Sequence, residues 1–476
     1  MSNQASLPPK SSAVVTVVGA GFSGSTIAIQ QLQHYVELLK TNKNLRPLTI
    51  RLIDRTGTFG PGLPYGTDDD VFIHNQPAYA MSPFPDDPDH FTRWLKAHDP
   101  NATGDTFATR HEYGIYLKET LDKAFADAAA AGVPVTLEKR TDEITDVTPH
   151  GEGLTLSGNN NATLETQALV LATGHQPGSL LKSLDGNPHY VSGVRHVAPV
   201  EEAVKNTTEK DSVAIVGTGQ SMFDVLAVLD SIGYKGKVYA LSRNLVLPWV
   251  FDPAFYRQPV DPYKPLYLDP AHVKTAKDQS AEALKRRFEL EIHRAEKQGY
   301  GVGHVLPAID FDALATAGPG GTKPEGWKSL YDLWRATYGN PTPPQRFELL
   351  QRYLKSGRLK LVKGDVSDVT DAKFAVQGDG FVVKDLFGKR PKHLTAVFNA
   401  AAYDRNPLAS PVLKHADEKG LLIVGPHGIA GGQQKNDALF VVGPPTSAGK
   451  WGVETFRNDN ARSAKQSVDK ALGLKF

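Results

Sequence analysis

Gly19-Ala20-Gly21-Phe22-Ser23-Gly24 is the stretch of this sequence with the clearest chemical use. It lies between a short apolar run and an amphipathic stretch, so it reads as a strand–turn–helix junction. Gly19 permits a tight turn, Gly21 lets the backbone approach a pyrophosphate, and Gly24 lets helix and strand pack closely. The helix N-terminus, with Phe22 and Ser23 in its first turn, offers N–H groups and partial positive charge to phosphates. Asp54 ends the following strand, where a carboxylate accepts bonds from ribose hydroxyls, and Arg55 stands beside it. The spacing from Gly24 exceeds the usual ~20 residues, and the polar loop 41–47 accounts for the excess. A glycine turn without a ligand is the plain alternative. The strand before it and the helix after it favour a dinucleotide, and FAD is the expected one.

A second such junction is Gly217-Thr218-Gly219-Gln220-Ser221-Met222-Phe223-Asp224, with Met222 where a third glycine would stand. Gly217, Gly219, Gln220 and Ser221 are its candidate binding residues. At the end of the next strand stand Ser242 and Arg243 rather than an acid. An acid there accepts from the 2′-hydroxyl of NADH, whereas a serine–arginine pair suits the 2′-phosphate of NADPH. A plain turn and an exposed arginine are the alternatives; the expected second cofactor is NADPH.

Four further segments are candidates by position. Ala172-Thr173-Gly174 follows an apolar strand and lets the chain pass close to a bound cofactor. Gly443, after a late strand and before a closing helix, is placed to deliver backbone N–H groups to a flavin. In the loop 60–66, Tyr65 is expected to face the flavin ring. In the segment 74–77, Asn75 is expected there too. Arg110 and Tyr403 are weaker candidates for substrate contact. The histidines show no metal-ligand spacing, and neither a G-x-S-x-G elbow nor a G-x-x-x-x-G-K-[ST] loop occurs.

These residues need a scaffold. The expected fold class is α/β, with two Rossmann-type dinucleotide-binding domains, the FAD domain interrupted by the NAD(P)H domain, and a mostly helical insertion. Residues 1–12 read as a polar tail, 13–207 as the first part of the FAD domain, and 208–250 as the NAD(P)H unit. Residues 251–357 read as a helical cap, and 358–476 as the second part of the FAD domain. Expected helices include 23–40, 113–131, 271–298, 344–356 and 453–472, from their apolar periodicity.

Composition narrows the classes. Across 476 residues, 53 Lys and Arg balance 52 Asp and Glu, so nothing suggests nucleic acid or an anionic membrane as a partner. The absence of cysteine excludes disulfides, Cys-ligated metal sites, a Cys nucleophile and electron relay through a Cys-x-x-Cys pair. No run approaches the ~20 apolar residues of a membrane span. A cytoplasmic location is expected.

The stretches Gly60–Tyr65, His74–Asn75, Phe91–Trp94, Arg110–Tyr116 and Gly217–Asp224 resemble bacterial FAD-NAD(P)-binding proteins. The layout is also similar to the flavin N-hydroxylating monooxygenases of the ornithine/lysine type. Their second motif, Gly-x-Gly-Gln-Ser-Ala-x-Glu, is matched at Gly217, Gly219, Gln220, Ser221 and Asp224. Their late Ala-Thr-Gly-Tyr corresponds in position to Ala400-Ala401-Ala402-Tyr403, with alanine replacing Thr and Gly. The flavin monooxygenase signature Phe-x-Gly-x-x-x-His is not intact at Val191–His196. The resemblance spans about 13–250 and 390–460. It implies reduction of FAD by NADPH, then transfer of one atom of molecular oxygen from a C4a-hydroperoxyflavin to an amine or sulfur of a small-molecule substrate, with Asn75 as a hydrogen-bond donor to the hydroperoxide. Two alternatives stay open: a flavin reductase serving another acceptor, and a non-catalytic FAD-binding redox sensor.

Overall fold

A computed structural model describes residues 12–160, 163–176, 178, 180–243, 245–253, 263–301, 304–305, 308–331, 341–364, 369–374, 378–383, 392–401, 406–425, 428–446 and 453–474. The strands that build its two principal sheets are β1 (Ala13–Val18), β2 (Leu48–Asp54), β3 (Val135–Thr141), β4 (Ala168–Leu171), β5 (Tyr190–Ser192), β6 (Ser212–Val216), β7 (Lys237–Ser242), β8 (Leu359–Lys363), β9 (Ala396–Asn399), β10 (Gly432–Gln433) and β11 (Leu439–Val441). The helices used below are α1 (Phe22–Thr41), α2 (Arg110–Ala130), α3 (Gln220–Ser231), α4 (Ala281–Lys297) and α5 (Val453–Leu472). The class is α/β, with a sheet of mainly parallel strands at the centre of each of two compact units.

The first unit comprises Met1–Ser179 and Ala402–Phe476. Its sheet runs β10-β11-β4-β1-β2-β3, parallel except for β10. β1 and β4 are near-continuous apolar runs because both faces of the sheet are covered. On one face Val15, Val17, Ile50 and Val170 pack with Ile27 and Tyr35 of α1 and Ala464 and Val468 of α5. On the other, Val18, Leu169 and Leu171 meet Val147, Leu154 and Leu156 of a three-stranded antiparallel sheet, and Leu413 of the helix Pro411–Glu418.

The second unit is Leu180–Ala401. Its five-stranded sheet, β8-β7-β6-β9-β5, is parallel throughout. The chain therefore returns to the first unit at Ala402 rather than at residue 358. The late strands β8 and β9 pair with β7 and β6, which keeps them in the second sheet. Rossmann-like units bury central strands on both faces, so sequence texture alone cannot say which sheet such a strand joins.

Two helix boundaries differ from the expected ones for identifiable reasons. α2 begins at Arg110 rather than residue 113, because Thr109 and Glu112 form a reciprocal capping box. The expected helix over 271–298 is two: Pro270–Lys274, capped by Asp269, and α4, capped by the Ser280 hydroxyl.

α4 carries Glu291 fully buried in the helical region of this unit. Its carboxylate accepts from the Tyr263 hydroxyl at 2.5 Å, from the Leu266 N–H at 3.0 Å and from the Leu268 N–H at 2.9 Å, with Arg294 at 3.3 Å. Burial, and then the neighbouring carboxylate, push the Tyr263 hydroxyl up to about 12, so it stays a donor. One side chain thus fastens the segment 263–268 to the helix. Replacing Glu291 with leucine strands two amide donors and Arg294, and is expected to lower the unfolding free energy by about 3–5 kcal/mol. Chemical denaturation of the two proteins measures this. An unchanged midpoint would show that the segment does not depend on the carboxylate.

Candidate functional site

The first glycine turn sits where β1 meets α1, at the carboxyl end of the strand. In parallel α/β sheets this edge receives ligands. Gly19 has φ +99, and a Cβ on it would lie 2.2 Å from the Ala172 carbonyl oxygen. A Cβ on Gly24 would lie 1.8 Å from the Gly19 carbonyl oxygen. Both glycines are therefore required by backbone contact. Between them Ala20 is fastened by three hydrogen bonds. Its N–H donates to Asp54 Oδ2 at 3.0 Å, and its carbonyl accepts from the Gly60 N–H at 2.9 Å and the Ser25 hydroxyl at 2.8 Å.

Asp54 thus holds the turn directly. Its other oxygen accepts from the Thr56 N–H and hydroxyl, at 2.8 and 2.6 Å. Oδ2, with one bond made, keeps acceptor capacity toward a ribose. Arg55 is exposed and lies 3.7 Å from Glu143.

The loop 60–66 is brought against this turn. Gly62, at φ +60, approaches Gly21 so closely that a Cβ on it would lie 2.5 Å from the Gly21 Cα. Phe22 stacks on Tyr113 at 6.4 Å, and Tyr65 meets Tyr113 edge-on at 4.8 Å. His74 completes the cluster, 4.9 Å from Tyr113 and 5.3 Å from Tyr65. It is buried, its Nε2 has no partner, and desolvation followed by the Arg110 charge lowers its pKa from 6.5 to about 3. His74 is therefore a neutral imidazole at physiological pH. Asn75, next along the chain, is half-buried. Arg110 lies over the Phe72 ring at 5.9 Å.

Two more segments converge on the same sheet edge. Ala172 follows β4 and donates to the Val18 carbonyl at 2.8 Å, and the Thr173 hydroxyl beside it is buried without a protein partner. Gly174 has φ +66. Gly443, after β11, has φ +79, and a Cβ there would lie 3.3 Å from the Ser23 hydroxyl. The glycine turn, Ala172, Thr173, Ser23 and Gly443 are thus gathered from three strand ends. A buried hydroxyl without a protein partner, beside a backbone cradle, leaves a hydrogen bond for an ordered water or a polar ligand to make.

In the second unit Gly217 has φ +103, and its N–H donates to the Leu241 carbonyl at 2.8 Å. Gly219 is exposed, and a Cβ on it would meet nothing within 4 Å. Gln220 opens α3 and Ser221 is half-buried behind it. Met222, in place of a third glycine, is fully buried. Ser242 ends β7 and Arg243 is exposed just beyond it. The Thr218 hydroxyl donates to the Val246 carbonyl at 2.8 Å, drawing the segment after Arg243 toward the turn. Tyr403 lies outside the described residues.

Sequence reasoning named His74 without a role and passed over Asn460 of α5. Only tertiary burial marks either one. Among the described residues no group of acidic and imidazole side chains could hold a metal ion, and no helix is long and apolar enough to cross a membrane.

Residues 16–176 match the profile of a family described as FAD-NAD(P)-binding. No curated protein matches the chain. Among solved structures, the ornithine hydroxylase PvdA from Pseudomonas aeruginosa is similar over 97% of this chain and 99% of its own, at 16% identity and TM-score 0.52. L-lysine 6-monooxygenase from Pseudomonas syringae is similar over 97% and 99%, at 14% identity and TM-score 0.50. A steroid monooxygenase described as oxidized and bound to NADP is similar over 96% and 84%, at 15% identity and TM-score 0.53. At these identities the likeness is one of fold, the two-domain flavoenzyme arrangement with parallel Rossmann-like sheets.

Proposed function

We propose that the chain is an FAD-dependent oxidoreductase that takes its electrons from NADPH, and that it is a monooxygenase acting on a nucleophilic amine or sulfur of a small molecule. The observation that carries the reading is the turn Gly19–Gly24, two of whose glycines are demanded by backbone contact at the carboxyl end of a parallel strand. The match of residues 16–176 to an FAD-NAD(P)-binding family supports it. So does the likeness in fold to flavin monooxygenases.

Bound flavin supplies hydride acceptance from a nicotinamide and subsequent reaction with molecular oxygen. The chain's own residues bind and orient. Gly19, Gly21, Gly24 and the α1 N-terminus hold the pyrophosphate, Asp54 the ribose, and Thr173 and Gly443 the flavin side of the dinucleotide. Asn75 and Tyr65 face the ring, and Arg110 lies at the substrate side. The aromatic cluster of buried Phe91 and Tyr113 and half-buried Phe22 and Tyr65 excludes water from that end. His74 within it donates no charge, since it stays neutral. Gly217, Gly219, Gln220 and Ser221 hold the NADPH pyrophosphate, with Ser242 and Arg243 at the 2′-phosphate.

Reconstitution with FAD and anaerobic titration with NADPH test the reading, followed by admission of air with a panel of amines. The flavin band should bleach, and an amine should then raise NADPH oxidation and appear hydroxylated. A protein that takes up no flavin would end the proposal. Bleaching followed by anaerobic turnover with an artificial acceptor alone would favour the reductase. The cofactor choice has its own test. Arg243→Ala should raise the Km for NADPH roughly 10–100-fold, the worth of a charge-assisted phosphate contact, and leave that for NADH nearly unchanged. Equal effects on both would remove Arg243 from the 2′-phosphate.

A further inference from the structure

α1 and α5 lie side by side and parallel in the first unit. Gln31 Nε2 donates to Ser467 Oγ at 2.9 Å, and His34 meets Asp469 at 2.8 Å. Ala464, Val468 and Ala471 fill the apolar part of the seam with Ile27 and Ala28. The polar part is less settled. Asn460 is fully buried, yet neither its amide nitrogen nor its amide oxygen has a protein partner. The hydroxyl of Ser463, also fully buried, has none either, nor has Gln31 Oε1.

Position along the seam gives this meaning. Two helical turns before Gln31 and Ser467 stand Gly24 on α1 and Asn460 on α5. Parallel helices rise together, so Asn460 stands near the level of the glycine turn. Ser23 in that same turn abuts Gly443, two residues past the end of β11, the strand that precedes α5. A buried amide without partners costs free energy on both its donors and its acceptor, and native chains meet that need with ordered water or ligand. A site with three polar atoms from two side chains has the two to four partners that a buried water requires.

We infer that Asn460 is a positioning residue for the FAD. Its amide, with the Ser463 hydroxyl, hydrogen-bonds through ordered water to the dinucleotide at the first turn of α1. The inference rests on the FAD reading above. It adds a residue from the opposite end of the chain, about which the glycine motif says nothing.

Asn460→Leu separates the possibilities, because leucine keeps the branched heavy-atom outline and removes both polar atoms. With no ligand role, such a change is neutral or stabilising and leaves cofactor binding alone. With the role inferred here, the apoprotein melts at the wild-type temperature or above. Its Kd for FAD then rises ~10-fold or more, the worth of one or two hydrogen bonds. The melting-temperature gain on adding FAD shrinks, and the absorption band of the bound flavin shifts. Asn460→Ser, which restores one hydroxyl, recovers part of the affinity. Wild-type affinity and an unshifted band in Asn460→Leu would overturn the inference and leave the FAD reading standing. A wild-type protein that takes up no FAD would overturn both. Should Asn460→Leu not fold, Ser463→Ala decides by the same criteria, with a smaller expected loss of ~3-fold.

Discussion

Gly24→Val is expected to yield a chain that neither folds stably nor retains flavin. The smallest side chain at this position would bring a carbon 1.8 Å from the Gly19 carbonyl oxygen and 2.9 Å from its carbonyl carbon. Those are backbone atoms of the same turn, fixed by the Gly19 N–H bond to the Ile53 carbonyl at 2.8 Å. They cannot swing aside as the end of a flexible side chain would. The cost should be about 3 kcal/mol or more, at the upper end for overpacking. Soluble yield, thermal unfolding and the flavin-to-protein ratio report it together.

Gly219→Ala is the informative counterpart in the second turn. A Cβ there meets nothing within 4 Å. Folding and flavin content should be unaffected, while NADPH binding weakens because the pyrophosphate needs that space. A Gly24→Val protein that melts like the wild type and stays yellow would refute the packing argument. An unaltered NADPH affinity in Gly219→Ala would take that glycine out of the nucleotide site.

Acid is expected to destabilise the first unit through His74, and His74→Phe should relieve much of that loss. Burial, reinforced by the positive Arg110, lowers the folded-state pKa from 6.5 to about 3. Above pH 6.5 the imidazole is neutral in both folded and unfolded chains, and its contribution to stability is complete. As the pH falls through 6.5 the unfolded chain takes up a proton that the folded chain refuses. Stability then declines by about 1.4 kcal/mol per pH unit until the folded pKa is reached. The difference from pH 7 should be roughly 2 kcal/mol at pH 5. Phenylalanine suits a site walled by Tyr65, Phe91 and Tyr113, and sacrifices no Nε2 hydrogen bond. Urea unfolding of both proteins at pH 7 and pH 5 measures the change. Equal losses in the two would mean that other groups carry the acid sensitivity.

The glycine turns were legible because their requirement is local. A strand, a turn at positive φ and a helix are written within about a dozen residues, and Gly19 and Gly217 occupy the left-handed region as expected. The place of Ser242 and Arg243 at the end of β7 was legible for the same reason. Helix ends were less so. The start of α2 depended on a capping pair that periodicity does not register, and the break before α4 on two separate caps. The second role of Asp54, gripping the Ala20 N–H, was not visible, because a carboxylate at a strand end reads the same whether it faces a ligand or its own turn.

By itself, then, the sequence determined that a glycine turn joins a strand to a helix in each of the two units, since the positive φ at Gly19 and Gly217 favours glycine. The tertiary structure decided which strands belong to which sheet, and which polar side chains are buried. β9 joined β6 across most of the second unit, and Ser467 reached Gln31 across 436 residues. His74 and Asn460 became noteworthy only once the surrounding chain had removed them from water. Backbone geometry is imposed by neighbours in sequence. Desolvation is imposed by neighbours in space, and no spacing along the chain encodes it.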